Sequence, residues 1–347
     1  MVHRHPRQPL DRRRVRGPVM RTRRSHLDPC QIGGHIPRPA ARLSGCSRRR
    51  KLSSRNAMTP GSDLAATAVT ALTCKLCGAP DPVPVFSEAA ADAVFTSYHC
   101  RACDLFQTLG DIAAVSPDYV DLTADQLDPM HVFLQTAHKK TAFDQWSRII
   151  RRRGNSGKRL LDIGCGVGGF LDYASANGFE TYGFDASAAQ AEQARIHHPN
   201  VRNFIDIDSY CTALREPVKF DVITMWDVFE HIRTPAELIA GVRRHLAPGG
   251  VFFVSVPNGA PNPMKVKLAR MRGREPGLIP WEHVFYYTRN SLARVMKDNG
   301  LDVAEIGAVV PYVRPMSVHE AVRRAGFGLL SSTRYAPQLF AVTRLPA

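Results

Sequence analysis

From residue 159 onward, short apolar runs alternate with longer stretches in which apolar positions recur every three or four residues. Near-continuous apolar runs suit strands buried on both faces, and the longer spacing suits helices laid against them. Strands are therefore expected at Arg159–Ile163, Thr181–Phe184, Val201–Ile205, Phe220–Met225 and Val251–Val256. Helices are expected from about Gly169, from Ser187 to a stop before Pro199, and over Pro235–Leu246. Upstream, residues 129–153 place Phe133, Phe143, Trp146, Ile149 and Ile150 toward one face and close on Arg151 to Arg153. That is the pattern of an amphipathic helix with a basic end. The tail predicts a helix near Ser291–Asn299, a strand near Leu301–Val310 and an apolar strand at Gln338–Val342. Strands alternating with helices imply an α/β fold, a parallel sheet covered on both faces.

Chemistry concentrates at the ends of the expected strands. Leu160-Leu161-Asp162-Ile163-Gly164-Cys165-Gly166-Val167-Gly168-Gly169 reads as a buried strand, a glycine-rich turn and a helix start. Glycines let the backbone pass close to a ligand, and a helix start presents free N–H groups. Asp185 ends the next strand, where a carboxylate can accept both hydroxyls of a ribose. Gly164, Gly166 and Gly169 also satisfy the spacing of a dinucleotide site. Asp162 argues otherwise, since a carboxylate beside the turn suits a cationic ligand and repels a pyrophosphate. Two further segments add to it: Trp226-Asp227-Val228-Phe229-Glu230-His231 after strand four, and Leu246-Ala247-Pro248-Gly249-Gly250 before strand five.

In this order and spacing the set resembles class I S-adenosylmethionine-dependent methyltransferases, over roughly residues 130–345. The resemblance implies a Rossmann-like, doubly wound, mostly parallel seven-stranded sheet closed by an antiparallel hairpin. It implies that Gly164, Gly166 and Gly168 approach the amino-acid part of S-adenosylmethionine, with Asp162 beside them and Asp185 on the ribose. Asp206 is a candidate for the adenine amino group or a solvated loop acid. Trp226 either packs near the cofactor or fills core. His231 is the leading candidate for a general base, against a structural role at a helix start, and His283 in Trp281-Glu282-His283 is the second. The polar segment 257–280 reads as a long loop, a candidate lid carrying Trp281, Tyr286 and Tyr287 toward substrate or into core. Quinone-pathway O-methyltransferases look similar at acid-x-x-Glu-His, a pattern that can take a divalent cation. Here Asp227, one methylene shorter than the usual Glu, stands with Glu230 and His231 at i, i+3 and i+4, on one helical face if a helix starts there.

Ahead of this region, Cys74-Lys75-Leu76-Cys77 and Cys100-Arg101-Ala102-Cys103 form two C-x-x-C pairs with 22 residues between them. Two such turns complete a tetrahedron of thiolates around zinc and leave no open position for chemistry. A zinc ribbon is expected over 74–125, then a linker helix over 126–158 and the catalytic domain over 159–347. Similar ribbons precede small-molecule and sugar methyltransferases, and some ribosomal RNA methyltransferases have one too.

Net charge weighs between those two classes. The chain carries +15, but residues 1–57 hold sixteen basic residues against two acids, a net of +14 that leaves +1 for residues 58–347. The first 57 residues read as a disordered leader: a polyanion-binding tail, a transit peptide, or translation from too early a start, with Met58 the alternative. A near-neutral remainder argues against a phosphate-backbone surface. The leading expectation is therefore methyl transfer to a hydroxyl or activated carbon of a quinol, polyketide-like or sugar substrate, in the cytoplasm. No nucleic-acid partner and no membrane span are expected, and the oligomeric state stays open. The alternative is an RNA methyltransferase that uses the ribbon for recognition.

Overall fold

The computed structural model describes residues 72–90, 93–109, 129–153, 157–309 except 275, 279 and 281, the isolated positions 326 and 329, and 333–347. The leader, Trp281 and the expected ribbon segment 110–125 lie outside the described residues.

Three strands come first: β1 Val83–Ala90, β2 Ala93–Cys100 and β3 Leu105–Leu109. Helix α1 Pro129–Arg152 follows, then β4 Arg159–Ile163, α2 Gly169–Ala176, β5 Glu180–Asp185, α3 Ala188–Arg195 and β6 Val201–Asn203. Next come α4 Ile207–Thr212, β7 Phe220–Trp226, α5 Pro235–His245, β8 Leu246–Pro257 and α6 Asn262–Met271. The chain finishes with β9 Phe285–Tyr286, α7 Arg289–Asp298, β10 Asp302–Val309 and β11 Gln338–Arg344. No described helix is long and apolar enough to cross a membrane.

The main sheet has seven strands in the order β10-β11-β8-β7-β4-β5-β6. Strands β8, β7, β4, β5 and β6 run parallel, and β11 pairs antiparallel with both β8 and β10. This is the doubly wound α/β arrangement with its closing hairpin. Successive residues of a strand face opposite sides, so the near-continuous apolar runs feed two cores. Leu161, Ile163, Ile223, Met225, Phe252 and Val254 pack with residues of α4, α5 and α7. Leu160, Val222, Val251 and Phe253 pack with Trp146 and Ile149 of α1, Phe170 and Leu171 of α2, and Ala191 and Ala194 of α3. Helix α1 is thus a layer of the α/β body.

A second, antiparallel sheet is ordered β1-β2-β3-β9. Its fourth strand comes from far along the chain, with Phe106 opposite Tyr286 and Gln107 opposite Phe285. Residues 66–347 accordingly form one compact unit.

Two expectations need correction. The segment 257–280 is not a continuous loop, because Pro261 leads into α6, which buries Val266 and Ala269 on one side. Of the two readings of Tyr286 and Tyr287, core packing holds: both are buried, and Tyr287 stacks on Phe229 at 5.2 Å. Strand three also stops early, since the chain turns at Phe204 and Ile205 into Asp206, whose Oδ1 accepts the Ser209 N–H at 2.8 Å and caps α4.

Candidate active site

Strand order reverses between β4 and β7, so a crevice opens at their carboxyl ends, where open α/β sheets bind ligands. The glycine turn lies there. Gly164, Gly166 and Gly168 have φ of +70°, +54° and +92°, a region costly for residues with a Cβ. A Cβ on Gly164 would also lie 2.5 Å from Val228 Cγ2. Glycine is therefore required twice over at that position.

Asp185 is held by this turn. Its Oδ2 accepts the Gly166 N–H and its Oδ1 the Ser187 N–H, both at 2.8 Å. Each carboxylate oxygen has a second lone pair, so a fixed acceptor pair remains for a vicinal diol. Burial pushes its pKa up, and the two N–H donors oppose that rise.

Asp162 is only 2% exposed, on the α1 face of the sheet, where Thr224 Oγ1 donates to its Oδ1 at 2.7 Å. The β4–β7 register sets Asp162 opposite Thr224 and so supplies this bond. Burial raises the Asp162 pKa to about 7, with Thr224 and Lys139 pulling it down.

Lys139 of α1 was not singled out by the sequence reading. Its Nζ lies 3.0 Å from Asp227 Oδ2. Burial works against its charge, yet Asp227, Glu230 and Asp162 together hold its pKa above the ordinary lysine value. A cation from α1 thus reaches acids at the ends of both strands that flank the crevice. Only an acid-rich neighbourhood three elements away marks this lysine among the polar positions of its helix.

The acid-x-x-Glu-His segment does not present one helical face. Asp227 adopts φ +57° and Phe229–His231 forms a single 3₁₀ turn. Asp227 points instead to Lys139 and accepts from Gln338 Nε2. Glu230, His231 and His283 form the cluster, with ligand-type atoms within 4.8 Å of one another. His231 Nδ1–H donates to the Glu282 carbonyl at 2.9 Å, which fixes the tautomer and leaves Nε2 with the basic lone pair. Its ring meets that of His283 edge-on at 4.8 Å between centroids. Burial lowers the pKa of His231. Burial, then the charges of His231 and Lys265, lowers that of His283 to about 3. Glu230 is 1% exposed, neither carboxyl oxygen has a hydrogen-bond partner among the described residues, and burial raises its pKa strongly. A neutral histidine pair beside a neutral acid can take a proton without first losing one.

Two candidates sit differently. Trp226 packs against Phe143, Phe170 and Phe253 at 4.9–5.1 Å between ring centroids, within the α1-side core. Asp206 is half-exposed and engaged as the cap of α4.

The four cysteines converge. Cys74 Sγ lies 3.6 Å from Cys103 Sγ, and Cys77 Sγ lies 3.6 Å from Cys100 Sγ. All four sulfurs lie within 4.8 Å of one another. The Cys103 thiol donates to Cys74, which brings the Cys74 pKa down to about 5 and drives that of Cys103 up. Four soft donors at this spacing suit a tetrahedral zinc.

The chain is similar to known methyltransferases. A methyltransferase-domain family matches residues 138–306. The ubiquinone biosynthesis O-methyltransferase of Aromatoleum aromaticum is 31% identical over 166 residues, 46% of this chain and 70% of that protein. The chain belongs to the S-adenosylmethionine-dependent methyltransferases. A second relative of the same description, from Pseudomonas aeruginosa, is 38% identical over 33% of this chain, which spans about half (50%) of its length. The solved S-adenosylmethionine-dependent methyltransferase of Clostridium acetobutylicum has 14% identity and a TM-score of 0.43, covering 63% of this chain and 100% of that one. As a member of this family the chain takes S-adenosylmethionine as its cofactor.

Proposed function

We propose that this methyltransferase moves the methyl group of S-adenosylmethionine to an oxygen of a small hydroxylated acceptor of quinol type, with His231 as general base. The observation that carries the reading is the half-buried His231–His283 pair after the carboxyl end of β7, with the tautomer of His231 fixed by Glu282. Relatives at 31% and 38% identity named for O-methylation in ubiquinone biosynthesis support an oxygen as the acceptor atom.

The cofactor supplies an already activated methyl carbon on a sulfonium. What the chain adds is placement and proton handling. Gly164, Gly166 and Gly168 admit the amino-acid portion against the backbone, Asp185 takes the ribose diol, and Asp162 faces the cationic part. Lys139, at the same crevice, is suited to the cofactor's carboxylate. Asp206 is kept as the candidate for the adenine amino group through the carboxylate oxygen that its helix cap does not use, and Trp226 fills core. Holding nucleophile and methyl carbon in line is worth about 7–11 kcal/mol in well-oriented systems. His231 Nε2 accepts the acceptor's hydroxyl proton as the new bond forms, with the ring of His283 packed edge-on beside it to place the acceptor.

A second reading has an observation of its own. Glu230 carries two buried oxygens without partners, and a divalent cation held by Glu230, His231 and His283 would satisfy them. Zinc is assigned to Cys74, Cys77, Cys100 and Cys103, as a structural ion. The test of the main reading is transfer of an isotope-labelled methyl group from the cofactor to a catechol or hydroquinone, located by mass spectrometry. Label on oxygen supports it. Label on carbon with the phenol intact replaces it with C-methylation.

A further inference from the structure

Between the four-cysteine sheet and α6 lies a groove of about 510 Å³, within the range of small-ligand sites. Val83, Val85, Val266 and Met271 line its wall, and Arg101, Lys267 and Arg270 stand around it. No acid lines it among the described residues, and α6 itself carries none. None of the three cations forms an ion pair among the described residues. Met271 is 74% exposed although it is a large apolar side chain. Surface cations normally find carboxylates nearby, and exposed apolar side chains are unremarkable singly. Here both occur together around one concavity.

The groove also backs onto the active site. His99 lines it, is held by Asp104 at 2.8 Å and stacks on Phe106 at 4.3 Å. Phe106 pairs with Tyr286 across the β3–β9 ladder, and the Tyr286 ring lies 5.1 Å from that of His283. Two rings, Phe106 and Tyr286, thus stand between His99 of this groove and His283.

The geometry points to a binding site for an anionic amphiphile: a molecule with an apolar body and a phosphate or carboxylate head. The body lies along Val83, Val85, Val266 and Met271, and the head meets Arg101, Lys267 and Arg270. Arginine is suited to either head because its guanidinium offers paired donors. Two sources share this chemistry, a free effector and the distal end of the methyl acceptor itself. The site stands on its own residues and does not need the quinol reading.

The probe is dodecyl phosphate below its micelle concentration, titrated calorimetrically into the full chain, with dodecyl maltoside as the neutral control. The phosphate is expected to bind at least about tenfold more tightly than the maltoside, a 1.4 kcal/mol difference. Replacing Arg101, Lys267 and Arg270 together by Ser should remove that preference without moving the melting temperature. Met271→Ser, at an exposed position, should weaken both probes. If the bound phosphate raises KM for the acceptor, the groove holds the acceptor's tail; if it leaves KM alone, the ligand is separate. Equal binding of the two probes, or an unchanged triple variant, overturns the proposal. Attachment only to vesicles of anionic phospholipid, with no binding of the monomeric probe, also overturns it in favour of a surface contact.

Discussion

At the scale of single residues, the acids and histidines of the crevice have protonation states set mainly by burial. Asp162 illustrates the consequence, with its pKa raised to about 7. Its ionised form attracts the cationic cofactor, so affinity should tighten as pH rises from 6 to 8 and level off above. Calorimetry at several pH values should show this slope in the wild type and a flat response in Asp162→Asn. His231 runs the other way in charge but to a related end. Its pKa is lowered, so the basic form persists below the pH at which a free imidazole would be protonated. Turnover should hold into mildly acidic solution and fall only below the usual histidine range. His231→Ala should lower kcat by about 10²–10⁴-fold, the contribution of a positioned base, with cofactor affinity unchanged. An unaltered kcat would return His231 to a structural role. Much of this was legible in the sequence: the glycine turn, Asp162 and Asp185 announce themselves by spacing along one strand–turn–helix–strand unit. Lys139 was not legible, because its significance lies in which acids surround it. Asp227 misled for a similar reason, since a positive φ breaks the helical spacing that its sequence offset suggests.

At the scale of elements, the four-cysteine module is tied to the acceptor side of the crevice. Gln107 of β3 accepts the Lys75 N–H at 2.8 Å and so pins the first C-x-x-C turn. Its neighbour Thr108 donates its N–H to the Val284 carbonyl at 2.9 Å, one residue beyond His283. An ion that orders the cysteine turns would in this way order His283, while the glycine turn and Asp185 belong to other elements. Elemental analysis should therefore find about one zinc per chain, lost on Cys74→Ser with Cys77→Ser. Chelation is expected to lower turnover while calorimetric affinity for the cofactor stays within a factor of about three, near 0.6 kcal/mol. Gln107→Leu, which keeps all four sulfurs, should retain the ion and still lower turnover. A finding of two ions per chain would assign the second to Glu230, His231 and His283. The main sheet was predictable strand by strand because its apolar runs are local. The β3–β9 pairing was not, because β9 spans two residues and its partner lies some 180 positions earlier.

At the scale of the whole molecule, the basic character belongs almost wholly to residues 1–57, while the remainder is near neutral with +1. Polyanion binding by the full chain should therefore weaken steeply with added salt, as counterion release requires. A chain beginning at Met58 should show little such binding in a fluorescence-anisotropy titration with RNA. Strong RNA binding by that shorter chain would revive the RNA methyltransferase alternative. The charge asymmetry was fully legible, being a matter of counting. Which small molecule the crevice accepts was not, because an acceptor is chosen by side chains that the fold gathers from several distant elements.

Strand β9, which joins the cysteine-bearing sheet from far along the chain, limits how this architecture can be recombined. A chimera that transplants the cysteine module from a relative by cutting after residue 125 would leave β3 with an unpaired rim, and the host with an orphaned Val284 carbonyl. Such rims invite strand-to-strand clumping. Any graft has to carry residues 282–288 as a second, matching insert, so the module travels as two pieces of chain.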